Sequence, residues 1–158
     1  MSIYNHQGNK LFLVCPFCQM ENFIIKHYGQ VFFLTAPAAM FDFKSYSLAI
    51  KEFITKENIK EIYLVGESSC NFTKNIMDDE NHSGLQCEIE IENLKSDNDS
   101  LFSLTEKMLK EQANELRSSN LFGKEIEEGN ISLHILITDK QENRIKEISL
   151  NPEISNFI

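Results

Sequence analysis

Short, continuous apolar runs, separated by segments long enough for a helix, are the feature that most constrains the fold of this chain. Parallel strands that are covered on both faces have this apolar character along their whole length. The sequence predicts four such strands, at residues 10–15, 30–34, 62–65 and 131–137. Runs of this length are too short to span a membrane.

Helical segments lie between the predicted strands. The clearest of them is 101–116, where Leu101, Leu104, Met108 and Leu109 recur at the spacing of one helix face. Further helices are predicted at 20–28, 45–58 and 71–77. The alternation of strand and helix predicts parallel strands that are joined by right-handed crossovers.

The end of the chain follows a different rule. Residues 138–143 form a polar turn that is too short for a crossover, so the last predicted strand, 145–150, must run antiparallel to its neighbour. We therefore expect an α/β fold in which one domain spans residues 1–158. Its architecture would be a three-layer sandwich around a mostly parallel sheet of four parallel strands and one antiparallel C-terminal strand.

The segment 78–100 is the hardest to assign, because Asp, Asn, Glu and Ser dominate it. Residues 85–91 alternate between apolar and polar side chains, which is typical of an edge strand. Residues 121–122 are expected to pack against the long helix that precedes them.

Acidic residues outnumber basic ones, which gives a net charge of −9 over 158 residues. No basic patch offsets this charge, so nucleic acid and anionic membranes are not expected partners. The first residues do not resemble a secretory signal. We therefore expect the four cysteines to be reduced thiols in a cytoplasmic protein, and not a disulfide framework.

Two of these cysteines follow predicted strands. Cys15 closes the run Leu11-Phe12-Leu13-Val14-Cys15, and Cys70 closes the segment that begins at Glu61. The carboxyl ends of parallel strands are where binding sites collect, so two thiolates here would form half of a zinc site. Cys15-Pro16-Phe17-Cys18 also permits a redox pair. Cys18 would alternatively fit as a small buried hydrophobe, and Cys87 fits that role better still.

The residues around Cys70 resemble a known family. Val65-Gly66-Glu67-Ser68-Ser69-Cys70 is similar to the second metal motif of the β-class carbonic anhydrases, which is Val or Cys, Gly, His, two residues, Cys. Glu67 stands at the histidine position. Other stretches resemble the family in the same order, namely Ser47-Leu48-Ala49-Ile50, Cys70-Asn71-Phe72-Thr73-Lys74, Gln112 with Leu116, Gly129-Asn130-Ile131-Ser132-Leu133-His134, and Asp139.

The resemblance implies the family fold, a zinc cofactor and a homodimer. It also implies the metal ligands Cys15, Glu67 and Cys70, with no catalytic residue carried over. Apolar surface around the first strands favours a dimer as well, although core packing would explain the same residues. That surface would come from five phenylalanines, Phe12, Phe32, Phe33, Phe41 and Phe43.

The sequence departs from the family at the residues that take part in the family's catalysis. The family's first motif is Cys-x-Asp-x-Arg, whereas this chain has Phe17 at the acid and Gln19 at the arginine. The polar loop that lies beside the substrate in the family corresponds to Ala36-Pro37-Ala38-Ala39, which has no side-chain hydrogen-bonding group. These exchanges predict little or no hydration of carbon dioxide.

A site of Cys15, Glu67 and Cys70 would carry one more negative charge than a site of two cysteines and a histidine. It would therefore hold the proton of a zinc-bound water more tightly. Cys18 could instead supply a fourth ligand and close the site, or the two thiols could bind no metal. The alternative function is an active zinc lyase, a carbonate dehydratase with this altered site, for which bicarbonate would be the small-anion ligand.

Overall fold

The structure is a computed structural model that describes residues 8–78, 85–118 and 123–149. The strands are β1 (Asn9–Val14), β2 (Phe32–Thr35), β3 (Ile59–Glu67), β4 (Ser132–Asp139) and β5 (Arg144–Ile148). They form a five-stranded sheet in the order β2-β1-β3-β4-β5. The first four strands are parallel, and β5 is antiparallel to β4. This confirms the predicted sheet.

Helices surround this sheet, as predicted. They are α1 (Glu21–Tyr28), α2 (Ser47–Lys56), α3 (Asn71–Met77), α4 (Gln86–Leu94), α5 (Leu101–Ser118) and α6 (Gly123–Glu127). One apolar core includes Ile54, Leu109 and Leu116, so α2 and α5 cover the same face of the sheet. Ile24 belongs to a second core on the other face, where α1 packs.

The expectation of an edge strand at 85–91 is wrong, because this segment begins α4. The Glu88 carboxylate accepts a 2.6 Å hydrogen bond from the backbone N–H of Leu85, which caps the first turn. Cys87 and Ile91 are four residues apart and both buried, so the apolar positions fit a helix face. Over so few residues, the pattern of apolar side chains does not distinguish the two-residue period of a strand from the 3.6-residue period of a helix. The expected contact of 121–122 lies outside the described residues.

Gly66 allows α5 to approach β3 closely. A Cβ atom at Gly66 would lie 2.4 Å from Cγ2 of Thr105 and 3.0 Å from Cδ1 of Leu109. Further along α5, the buried Gln112 accepts a 2.8 Å hydrogen bond from the backbone N–H of Phe41. The helix thereby fixes the chain that follows β2. In the described ranges, no helix is both long and apolar enough to cross a membrane.

Candidate metal centre

Cys15 lies directly after β1, where the chain makes a tight 3-10 turn at Pro16–Cys18. The backbone N–H of Cys18 donates a 3.3 Å hydrogen bond to the carbonyl oxygen of Cys15, which closes this turn. Pro16 stands at the start of the turn, where its missing N–H costs no hydrogen bond. Gln19, with φ of 51°, ends the turn in the left-handed region. The turn therefore places the sulfurs of Cys15 and Cys18 next to each other.

Cys70 follows the neighbouring strand β3, and its sulfur lies beside those of Cys15 and Cys18. β3 pairs with β1 in parallel, with Leu64 beside Leu13, so the two strands end at the same edge of the sheet. After β3 the backbone N–H of Cys70 donates a 3.1 Å hydrogen bond to the carbonyl oxygen of Glu67. This second turn places Cys70 immediately before α3.

The sulfurs of Cys15, Cys18 and Cys70 lie within 4.8 Å of one another, and all three side chains are buried. A tetrahedral zinc ion with Zn–S bonds of about 2.3 Å holds its sulfurs about 3.8 Å apart. The cluster therefore fits zinc after small side-chain adjustments. The three cysteines could hold a metal ion, and the predicted pairing of Cys15 with Cys70 in space agrees with this geometry.

Backbone geometry at Pro37–Ala39 supplies a hydrogen bond to the cluster. The N–H of Ala38 donates to Sγ of Cys15 over 3.0 Å. Ala38 and Ala39 have φ of 55° and 58°, a region that non-glycine residues seldom adopt. The segment 36–39, in which the sequence shows no polar side chain, therefore contributes a main-chain donor to a sulfur of the cluster.

The three thiols share their protons unequally. Hydrogen bonds from Cys15 and Cys18, followed by those from Thr73, lower the pKa of Cys70 to about 2 against the opposing effect of burial. The same contacts and burial raise the pKa of Cys18. Contact with Cys18 lowers the pKa of Cys15, but contact with Cys70 and burial outweigh it and raise the pKa overall. Cys70 is thus the thiol of the three whose ionisation these contacts favour.

Glu67, the third ligand predicted from the sequence, is buried but does not belong to the group of sulfurs. Its Oε1 accepts hydrogen bonds from the Thr138 hydroxyl at 2.7 Å and the Lys140 N–H at 3.2 Å. Its Oε2 accepts from the Ser69 hydroxyl at 2.5 Å and the Ser69 N–H at 3.2 Å. The carboxylate joins the β3–α3 turn to the β4–β5 hairpin. Metal binding by Glu67 stays a prediction.

Apolar and exposed side chains occupy the positions of the family's acid and arginine. Phe17 is 58% exposed and stacks on Phe72, with ring centroids 5.1 Å apart. Gln19 is exposed to solvent. Lys140 places a charged group beside the cysteine turn, and its Nζ donates a 2.6 Å hydrogen bond to the carbonyl oxygen of Cys18.

Histidine is another common zinc ligand, but His27 and His134 do not belong to the group of three sulfurs. His134 stacks on Tyr63 within the sheet, with its ring nitrogens facing Glu61 and Glu147. The Nε2 of His27 pairs with the Asn143 side chain at 3.1 Å. His6 and His82 lie outside the described residues.

Cys87 is buried in α4, where burial, followed by Glu88 and Glu90, raises its pKa to about 11. It is not a member of the group of three sulfurs.

Cys18 is the site residue that the sequence left open. The Cys-x-x-Cys spacing was its only signal, and that spacing equally fits a redox pair or a buried hydrophobe. The tight turn after Cys15 decides the matter, because it returns the chain so that Cys18 faces the same point as Cys70.

No family model matches the chain, and no curated protein matches it in sequence. Solved structures do. A β-carbonic anhydrase of Aspergillus fumigatus has a TM-score of 0.74 at 17% identity, with 95% of this chain and 83% of that chain covered. A tetrameric β-carbonic anhydrase of Sordaria macrospora has a TM-score of 0.68 at 16% identity, with 94% and 86% covered.

A third match is a Coccomyxa β-carbonic anhydrase in complex with acetazolamide, with a TM-score of 0.68 at 15% identity and coverage of 89% of this chain and 72% of that chain. Identities this low speak for the fold alone. The topology, the strand-end cysteines and these matches agree. The chain therefore has the fold of the β-class carbonic anhydrases.

Proposed function

We propose that this protein is a carbonic-anhydrase-like zinc-binding protein with little or no activity in hydrating carbon dioxide. Its ligands would be Cys15, Cys18 and Cys70. The observation that carries the proposal is the convergence of these three buried sulfurs within 4.8 Å of one another. Thiolate donors without a redox cofactor favour zinc among the common divalent metals.

The donor set itself supports low activity. Bound zinc would supply Lewis-acid chemistry at a fourth position. Three thiolates bring three negative charges to an ion with two positive charges, whereas two cysteines and a histidine neutralise it. The additional negative charge makes the ion a weaker Lewis acid.

The surrounding residues support the same conclusion. Phe17 cannot replace the family's aspartic acid, and Gln19 cannot replace the arginine that pairs with this acid. The segment 36–39 presents no polar side chain to bicarbonate. An acid that orients the reacting group and a residue that positions this acid are each worth about 10²-fold in rate. The cluster thus has thiols that can bind an ion, whereas the family's acid and arginine are replaced by Phe17 and Gln19.

Glu67 was predicted from the sequence as a ligand, but its hydrogen bonds lead us to propose instead that it positions the ligands. As a ligand it would have to give up hydrogen bonds from Ser69, Thr138 and Lys140. Those bonds hold the turn that carries Cys70, and Lys140 in turn holds the carbonyl group of Cys18. Losing them would disturb two of the three cysteines.

Stopped-flow measurement of carbon dioxide hydration by zinc-loaded protein tests the proposed function. We expect about one zinc per chain and a rate close to that of buffer alone. Zinc-loaded Cys87→Ser is the matched control, because it removes a buried thiol that is not a member of the group of three sulfurs. A rate typical of a working carbonic anhydrase would refute the proposal and favour the active lyase.

We also propose a cytoplasmic homodimer. Phe12 and Phe43 are buried within one chain, whereas Phe32, Phe33 and Phe41 are only partly buried. A largely apolar cavity of about 530 Å³ lies beside the edge strand β2 and α2.

The exposed Tyr46 lines this cavity, and the exposed Leu48 lies on α2. Light scattering of the wild type and of Leu48→Glu would test this surface, and a monomeric wild type at high concentration would contradict the dimer.

A further inference from the structure

We propose that the cluster is also a site of reversible oxidation, at which a peroxide converts Cys15 and Cys18 into a disulfide. The disulfide would remove two of the three thiolates and release a bound ion. Release of the ion rests on the proposed function, whereas formation of the disulfide does not.

The turn after β1 already has the geometry that a disulfide needs. The hydrogen bond from Cys18 to the Cys15 carbonyl closes a turn of four residues, whose end Cα atoms lie less than about 7 Å apart. Disulfides bridge Cα atoms separated by about 4.4–6.8 Å. The two sulfurs are within 4.8 Å of each other, so rotation of the side chains can bring them into bonding contact.

The oxidation balances with hydrogen peroxide as the oxidant. A thiolate sulfur attacks one peroxide oxygen, the O–O bond breaks, and hydroxide leaves and takes up a proton to become water. The sulfur is then a sulfenic acid. The second cysteine sulfur attacks it, the S–O bond breaks, and a second water leaves as the S–S bond forms. Two electrons pass from the two sulfurs to the peroxide.

Chain geometry decides which bridge persists. Either cysteine of the turn could first form a bridge to Cys70, because all three sulfurs are neighbours. A bridge between Cys15 and Cys18 lies within one turn that a backbone hydrogen bond already closes, whereas a bridge to Cys70 must join two separate turns. The free cysteine of the turn would therefore displace Cys70 by thiol–disulfide exchange, and Cys15–Cys18 is the product.

The turn also lies at the surface. Pro16, Phe17 and Gln19 are exposed, although the sulfurs between them are buried. The path from solvent to the sulfurs is therefore short for a small peroxide. Cys87 offers an internal comparison, because it is equally buried and lies outside the group of three sulfurs.

The test treats reduced, full-length protein with hydrogen peroxide, alkylates the remaining thiols and maps the peptides by mass spectrometry. We expect two of the four thiols to be lost. The disulfide should be found within the peptide that contains residues 15–18, and a dithiol reductant should restore both thiols. Cys87 should stay alkylated throughout. Cys87→Ser should behave like the wild type, whereas Cys18→Ser should form no such peptide.

Zinc is measured in the same samples before and after oxidation. Protein that binds zinc should release about one ion for each disulfide formed. Protein that holds no zinc would refute the proposed function, yet the peptide map would still decide the oxidation. Conversion of the cysteines to sulfinic acid, a persistent bridge to Cys70, or equal oxidation of Cys87 would overturn the inference. Mapping the wild type makes the outcome independent of whether Cys18→Ser folds.

Discussion

Lys140 touches both Cys18 and Glu67. Its Nζ donates to the Cys18 carbonyl oxygen over 2.6 Å, while its backbone N–H donates to Oε1 of Glu67 over 3.2 Å. One residue of the β4–β5 hairpin therefore connects the cysteine turn after β1 with the carboxylate at the end of β3. The geometry of the cluster depends on a part of the sequence that contains no candidate ligand.

Lys140→Met tests this connection, because it removes the side-chain donor and keeps the backbone N–H. Groups that orient ligands without binding the metal typically contribute about 10–100-fold to metal affinity. We expect zinc affinity to fall by about 10-fold in competition with a chelator. Lys26→Met, an exposed change on α1, is the control. Equal affinities of the two variants would show that the Lys140 contact does not position Cys18.

Loss of a ligand should remove the metal outright. We expect Cys70→Ser to retain little zinc after dialysis, because a serine hydroxyl is a poor substitute for the thiolate that Thr73 stabilises. Cys87→Ser should retain as much zinc as the wild type. Metal analysis of protein purified without added zinc measures both. Comparable loss from both variants would mean that other residues bind the ion.

Glu67→Gln separates positioning from ligation. Both carboxylate oxygens of Glu67 accept hydrogen bonds, whereas the NH2 of glutamine would face hydrogen-bond donors and could not pair with them. Buried polar groups left without a partner cost about 1–3 kcal/mol. We expect a loss of unfolding free energy of that size in urea, with zinc still bound at about one ion per chain. Glu52→Gln on the exposed side of α2 should change stability by less than about 0.5 kcal/mol. Loss of zinc with unchanged stability would instead identify Glu67 as a ligand.

Gly66→Ala should weaken the packing of α5 on β3. The new methyl group would meet Cγ2 of Thr105 at 2.4 Å, and overpacking of this kind costs about 1–3 kcal/mol. Thr105→Ser removes Cγ2 and keeps the hydroxyl that donates to the Leu101 carbonyl at 2.8 Å. The double variant should therefore recover part of the lost stability in urea unfolding. Additive losses would show that the strain lies elsewhere.

Much of the sheet could be predicted, because β1, β3 and β4 contain buried, continuous apolar runs. The segment 85–91 could not, since Cys87 and Ile91 are compatible with either period and Glu88 caps the helix through a contact with Leu85. A local hydrogen bond of this kind has no periodic signature.

The candidate site was predictable in part for a related reason. Cys15 and Cys70 follow strands that pair in parallel, so their meeting follows from topology alone. The place of Cys18 depends on the backbone of the turn and on Lys140, which is 122 residues away in sequence. The bonds of Glu67 likewise reach Thr138 on the neighbouring strand, 71 residues away in sequence.

The two turns that carry the cysteines are separated by about fifty residues of sequence, which include β2 and α2. An ion that binds both turns would cross-link the chain and close this long loop. A covalent cross-link around a loop of this length stabilises a folded protein by about 4 kcal/mol, by restricting its unfolded chain. Removal of the ion should therefore lower the melting temperature, whether or not the protein catalyses any reaction.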